Sequence, residues 1–162
     1  MFAKMILLLL ALASHVQAES LSRVYLDRAQ NVHVVQSNGR ERQLTKSGLN
    51  YNATLAPDGK TAAWLVAHTW NAPGDTEPSS SELVLYRHGK SHRIHCEPFI
   101  RDYWFWNRGD SIAIDCGGRH FAGREILYDS VTLKIIDSFD QGKVPAEKRP
   151  EWSASKESAD SN

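Results

Sequence analysis

A repeat of turn and strand constrains this chain more than any other feature. Leu55-Ala56-Pro57-Asp58-Gly59-Lys60-Thr61-Ala62-Ala63-Trp64 lines up with Phe105-Trp106-Asn107-Arg108-Gly109-Asp110-Ser111-Ile112-Ala113-Ile114 at an offset of 50 residues. The turn glycine, the hydroxyl residue after it and the apolar strand fall on matching positions. Leu85-Tyr86 then matches Leu127-Tyr128 at an offset of 42; the eight-residue contraction falls where the first copy carries a Pro/Ser-rich insertion, 71–81. Upstream, Gly39 and Leu44 match Gly89 and Ile94, again 50 apart. A period of about 40 to 50 residues with four strands per unit is how propeller blades look in sequence.

Almost every patterned segment reads as strand, and no window sustains helical periodicity over three turns. Alternating runs at 32–35 and 41–45 flank Ser37-Asn38-Gly39-Arg40, and Asn-Gly between two such runs signals a hairpin because both residues accept positive φ. Runs at 51–55 and 61–67 are joined by Ala56-Pro57-Asp58-Gly59-Lys60, where proline presets φ and glycine supplies the permissive position. Further pairs at 82–87 and 92–96, 102–106 and 111–116, and 125–129 and 133–139 complete the series. The 71–81 insertion reads as a solvated loop.

The segment Ala56-Pro57-Asp58-Gly59-Lys60-Thr61-Ala62-Ala63-Trp64 resembles the signature hairpin of WD-like propeller repeats of the TolB type, a small residue followed by Pro-Asp-Gly-Lys and an apolar strand. Val34-Val35 through Gly39 to Gln43-Leu44-Thr45 is similar to the outer hairpin of a preceding blade. The second copy departs from the pattern, with Asn107 and Arg108 where proline and aspartate would stand, and Ala56 replaces the usual serine. The resemblance spans residues 23–139. It implies a propeller-like fold with a periplasmic binding or scaffolding role, and it transfers no catalytic residue.

Closed propellers use about four to eight blades, whereas residues 21–139 hold two full units and one partial unit. The expected fold is therefore all-β: antiparallel four-stranded propeller-like blades in an incomplete or open propeller, with a β-sandwich or barrel as the alternative. Exposed sheet edges must be covered somehow, which makes a homo-oligomer paired through those edges, or a bound partner, a physical expectation.

Three adjacent features at the N-terminus read as a signal peptide over residues 1–18. Lys4 precedes an apolar run at 5–13, and Val16-Gln17-Ala18 places small residues where a signal peptidase reads. The run is too short to span a bilayer, which takes about twenty residues; an uncleaved anchor is the alternative. Cleavage would take eighteen residues from 162 and leave 144, beginning at Glu19. Only Lys4 is lost from the charge count, so 18 basic residues face 19 acidic ones. A near-neutral exported chain has no long-range field to steer nucleic acid. No later segment is apolar enough for a membrane span. The organisation expected is a signal peptide over 1–18, a β-propeller-like domain over 19–140 and a disordered tail over 141–162. That tail is rich in Lys, Glu, Ser and Ala, and Trp152 is its only large apolar residue, the one able to dock on the domain.

Cys96 and Cys116 are the two cysteines. In an oxidising compartment an even pair is most simply a disulfide, against two free buried thiols or half of a metal site. In the blade pattern Cys96 ends a fourth strand and Cys116 the next second strand, so a bridge would staple consecutive blades. No Cys-x-x-Cys spacing suggests redox chemistry.

Other constellations are weaker. His88, His92, His95 and Cys96, with His120 beyond, do not converge as metal ligands, and no metal or cofactor is expected. Tyr103-Trp104-Phe105-Trp106 alternates aromatic rings on both faces of one strand, which reads first as packing and second as a ligand platform. Arg108-Gly109-Asp110 sits in a repeat turn, and Asn52-Ala53-Thr54 is a formal glycosylation sequon inside a strand. Asp102, Asp110 and Asp115 read as solvated carboxylates, and no nucleophile elbow, zinc helix motif or phosphate loop occurs. The expected function is an exported non-enzymatic binding or scaffolding module, with Tyr103, Trp104, Trp106 and His120 as the candidate binding surface for a protein or cell-envelope partner. A hydrolase or lyase using a pocket beside residues 103–106, with Asp115 and His120, is the rival.

Overall fold

The computed structural model describes residues 20–68, 78–118 and 120–155. The expected signal peptide lies outside them, as do 71–77 of the expected loop and the last seven residues of the tail. The chain is all-β. Among the described residues eleven strands follow in order: β1 Leu21–Leu26, β2 Val32–Gln36, β3 Glu41–Gln43, β4 Asn50–Leu55, β5 Thr61–Val66, β6 Glu82–Arg87, β7 Lys90–His95, β8 Ile100–Trp106, β9 Ser111–Cys116, β10 Arg124–Asp129 and β11 Ile135–Asp140.

They form three separate antiparallel meanders in chain order, β1-β2-β3, β4-β5-β6-β7 and β8-β9-β10-β11, none of them closed. Each neighbour pair is sequential, as short hairpin turns demand. The turn residues explain the hairpins: Gly39 at φ 84°, Gly89 at φ 77° and His88 at φ 50° occupy the left-handed region that tight reversals require. The segment 21–26, which carries no strand signal of its own in the sequence, pairs with β2 and completes a three-stranded first sheet.

Alternation along β5 shows how the sheets stack. Ala62 and Trp64 face the first sheet, packing with Leu21, Val32 and Val34. Ala63 and Leu65 face the third, packing with Ile100, Tyr103, Ile112 and Ile114. Being covered on both sides, β5 reads as a continuous apolar run rather than an alternating one. A fully buried side chain of this size contributes roughly 2 kcal/mol, so the two seams account for most of the drive to stack.

The equivalent turn glycines do equivalent work. Gly59, at φ 67°, leans on the first sheet: a Cβ there would stand 2.9 Å from the Leu21 carbonyl oxygen, and the Leu21 amide donates to the Gly59 carbonyl at 2.7 Å. Gly109, at φ 106°, leans on the second: its Cβ would stand 2.9 Å from that of Ala56. Each inner turn therefore touches the preceding sheet. The Arg108-Gly109-Asp110 tripeptide accordingly belongs to a 3₁₀ turn, Asn107–Gly109, whose glycine is buried.

Cys96 and Cys116 are joined by a disulfide with Cα atoms 5.9 Å apart. It ties the end of the second sheet to the end of β9 in the third. Ser80 and Ser81, expected in a solvated loop, are buried instead. Their carbonyls accept from the Ile100 and Cys96 amides, closing the same end of the seam.

The tail departs from expectation over residues 141–155. A turn follows β11, a 3₁₀ turn spans Ala146–Lys148, and Trp152 is buried at 6 % exposure against Ala113 and Leu127. A polar segment was expected to stay disordered because it has too little apolar surface to offset its ordering entropy. One indole and a set of backbone-directed hydrogen bonds prove sufficient.

Candidate functional site

The outer face of the last sheet is where chemistry-bearing side chains converge. Antiparallel register lays them out in rows. Trp104, Ala113, Leu127 and Asp137 are cross-strand partners in one row, and Asp102, Asp115, Glu125 and Phe139 form the next. Residues two apart on a strand share a face, so both rows look the same way, opposite to the seam with the second sheet.

Residues 141–155 lie over these rows as a strap. The Trp152 ring tilts 55° against Phe139 with centroids 5.6 Å apart. Its Nε1–H donates to Asp137 Oδ2 at 2.9 Å, and its backbone carbonyl accepts the Trp104 Nε1–H at 2.7 Å. Arg149 stacks over Phe139 and donates to the carbonyls of Gln141, Val144 and Ser155, which folds the strap back on itself.

A polar cluster adjoins the indole. Asp115 and Glu125 stand directly opposite each other across β9 and β10, an arrangement that costs energy between like charges unless donors intervene. Arg101 Nη2 donates to Asp115 at 2.6 Å and to the Gln141 side-chain oxygen at 2.7 Å. Gln141 Nε2 donates to Glu125 at 2.9 Å and reaches Asp115 at 3.3 Å. Arg101 points here because β8 carries a bulge between Ile100 and Asp102, and a bulge re-aims the side chain at the irregularity. Its other nitrogen holds the Gly118 and Phe121 carbonyls, fixing the loop after β9. Glu125 is 1 % exposed; its Oε1 also accepts the Ser155 hydroxyl, while Oε2 is sealed from solvent without a partner among the described residues.

The four residues expected as a surface are divided between sites. Tyr103 is buried in the seam, where its hydroxyl meets the Asn52 and Ala63 carbonyls and Thr54 Oγ1, and burial pushes its phenol well up from the ordinary value. Asn52, of the formal sequon, sits with φ 52° at an irregularity of β4 that presents its carbonyl to Tyr103. Trp104 lies beneath the strap and Trp106 is 39 % exposed at the strand end. His120 is exposed in the loop after β9. Elsewhere among the described residues are two open clefts. One of about 600 Å³ is lined by Pro98, Cys116, Phe121, Arg124 and Lys143. Another of about 330 Å³ lies between the first two sheets, beside Lys46, Trp64, Glu82 and Arg93. Tyr103, Trp104 and Trp106 line neither of them.

Sequence reasoning missed Arg101, Glu125, Asp137 and Gln141. The signal available was register: counting by two from Trp104, Ala113 and Leu127 places Asp115 and Glu125 side by side. A second polar cluster marks the outer face of the first sheet. There Tyr25 stacks on His33 at 5.0 Å, Arg23 covers Tyr25, and Glu41 and Asp27 flank the two imidazole nitrogens at 3.0 and 3.3 Å. No known family model matches the sequence, and neither does any curated protein.

Proposed function

We propose that this chain is an exported, non-enzymatic binding module whose stacked sheets present an interaction surface to a protein partner. The observation that carries the reading is the outer edge of the last sheet. Ile135 and Ile136, adjacent on edge strand β11, are 58 % and 55 % exposed, and Val131 in the preceding turn is 59 % exposed. An edge strand offers unpaired backbone groups, and apolar side chains on it invite pairing with another chain. The other outer strands are blunted: β3 is Glu-Arg-Gln and fully exposed, and β7 carries Lys90, His92, Arg93 and His95 outward. Among these three outer strands, an apolar open edge is therefore specific to β11.

Consecutive four-stranded meanders with equivalent turn glycines support kinship with propeller repeats of the TolB type. The disulfide supports export, and no helix among the described residues is long and apolar enough to cross a membrane. Asp115, the acid of the enzymatic rival, is committed to Arg101 and Gln141, which favours binding over turnover.

Affinity capture from the exported fraction tests the proposal, using the oxidised chain beside its Ile135→Lys/Ile136→Lys variant. A protein retained by the first and lost by the second is the expected result. Equal recovery on both, or none on either, overturns it.

A further inference from the structure

The strap is recognised more specifically than a tail needs to be if its only task is to cover apolar surface. Trp152 is held in three ways: its indole N–H by the Asp137 carboxylate, its backbone carbonyl by the Trp104 indole, its ring by Phe139, Ala113 and Leu127. Buried apolar contact with a few placed polar groups is how a peptide anchor pocket is built. Sequence context agrees, because Trp152 is the only large apolar residue between 141 and 162.

The strap also fits its site incompletely. Glu125, 1 % exposed, presents two oxygens beneath it; Ser155 and Gln141 both donate to Oε1, and Oε2 receives nothing among the described residues. A buried acceptor left without a donor is costly. An occupant that brings one more donor to this position holds the face better than the strap does.

We propose that the outer face of the last sheet is a binding site for a tryptophan-bearing segment of a partner protein, and that residues 145–155 occupy it in cis as an intramolecular competitor. The inference rests on the binding-module reading and names a surface for it. The face continues from Asp137 and Phe139 along β11 to the open edge at Ile135 and Ile136, so a segment seated under the indole runs on toward unpaired backbone. Tethering sets the strength of the competitor. A short linker holds the strap at an effective concentration of about 1 mM, so a strap whose own dissociation constant is about 10 μM weakens any ligand of the same face roughly 100-fold.

The test uses the full-length oxidised chain and a synthetic peptide of residues 145–155 as the probe. The Trp152→Ala variant, with its pocket vacated, binds the peptide, and the wild type binds it at least 10-fold more weakly. Adding Asp137→Ala to that variant weakens binding about 10-fold, and a peptide with alanine in place of its tryptophan does not bind. Should Trp152→Ala fail to fold, Trp152→Phe keeps the ring, loses only the N–H donor, and takes up the peptide better than the wild type. A folded variant that ignores the peptide, or equal binding by variant and wild type, overturns the proposal. Strap-exchanged wild-type dimers would assign the face to a second copy and overturn the partner claim. Because the probe is the chain's own segment, failure here leaves the capture result at Ile135 and Ile136 standing, and the converse also holds.

Discussion

The indole N–H of Trp104 donates to the backbone carbonyl of Trp152 at 2.7 Å. That bond joins a strand to a segment 48 residues later and ends the stack of sheets. The first sheet covers one face of the second and the third covers the other; the third sheet's remaining face is covered by the strap. At the opposite end the first sheet needs no cover, because its outer face is mostly polar, with Arg23, Tyr25, His33 and Glu41 around Val35. Three sheets with one polar end and one strapped end form a finite stack without closing a ring.

Loss of the anchor should be felt in stability. Trp152→Ala is expected to lower the unfolding free energy by about 3 kcal/mol, the low end for a buried aromatic truncated to alanine. Urea unfolding followed by circular dichroism measures it, and gain of a dye-binding apolar face in the folded variant would accompany the loss.

Tyr103 links the third sheet to the irregular strand β4. Tyr103→Phe removes the hydroxyl from the Asn52 and Ala63 carbonyls and takes a donor from the buried Ala63 oxygen. A loss of about 1–2 kcal/mol is expected, with the same denaturant slope as the wild type.

The staple between sheets can be removed cleanly. A double Cys96→Ser/Cys116→Ser chain should lose about 3 kcal/mol, the chain-entropy effect expected for a loop of this length. Native alkylation of the oxidised protein should label neither cysteine.

Gly123 makes room for Arg101: a Cβ there would lie 2.5 Å from the guanidinium Nη2 and 2.4 Å from the Cys116 carbonyl oxygen. Gly123→Ala should therefore cost about 1–3 kcal/mol, as overpacking does. It should also raise protease sensitivity in the loop after β9, whose Gly118 and Phe121 carbonyls Arg101 holds.

The first sheet's polar face contributes to the pH response at both ends. The backbone amide of Asn31, and the side chains of Asn31 and His33, hold the Asp27 carboxyl below its ordinary value. The Tyr25 hydroxyl and then His33 do the same for Glu41. Depressed carboxyls stabilise the fold above their ordinary values, near pH 4, and lose that contribution as pH falls through the lowered values. Tyr25 is raised, chiefly by its bond to Glu41, so its contribution is complete below about pH 10 and is lost in alkali above that. Denaturation midpoints measured across pH should fall at both ends, and Glu41→Gln should flatten the acid limb.

How much of this was legible in the sequence depends on the range of the interaction. The hairpins were readable because turn chemistry is local: Asn38-Gly39, Pro57 to Gly59, and His88-Gly89 each dictate their own reversal. The pairing of Cys96 with Cys116 followed from where each ends its strand. Strand β1 escaped notice because Leu21–Leu26 carries no turn signal before it, and its pairing with β2 is a tertiary fact. The site was hidden for a different reason. Asp115 and Glu125 become neighbours only through register, Arg101 reaches them only through a bulge, and Trp152 looked like a lone residue in a polar tail. Propensity and composition describe what a segment does unaided, and 141–155 is ordered by a surface assembled elsewhere in the chain.

The seating of Trp152 is the claim on which the capped stack and the cis-occupied site both depend. Indole N–H exchange in the oxidised full-length protein, followed by NMR, tests it most directly. Slow exchange is expected at both Trp152 and Trp104, with cross-peaks from the Trp152 ring to Phe139 and Leu127. Fast exchange at Trp152, with a resonance at its unfolded position and no contact to Phe139, would contradict it.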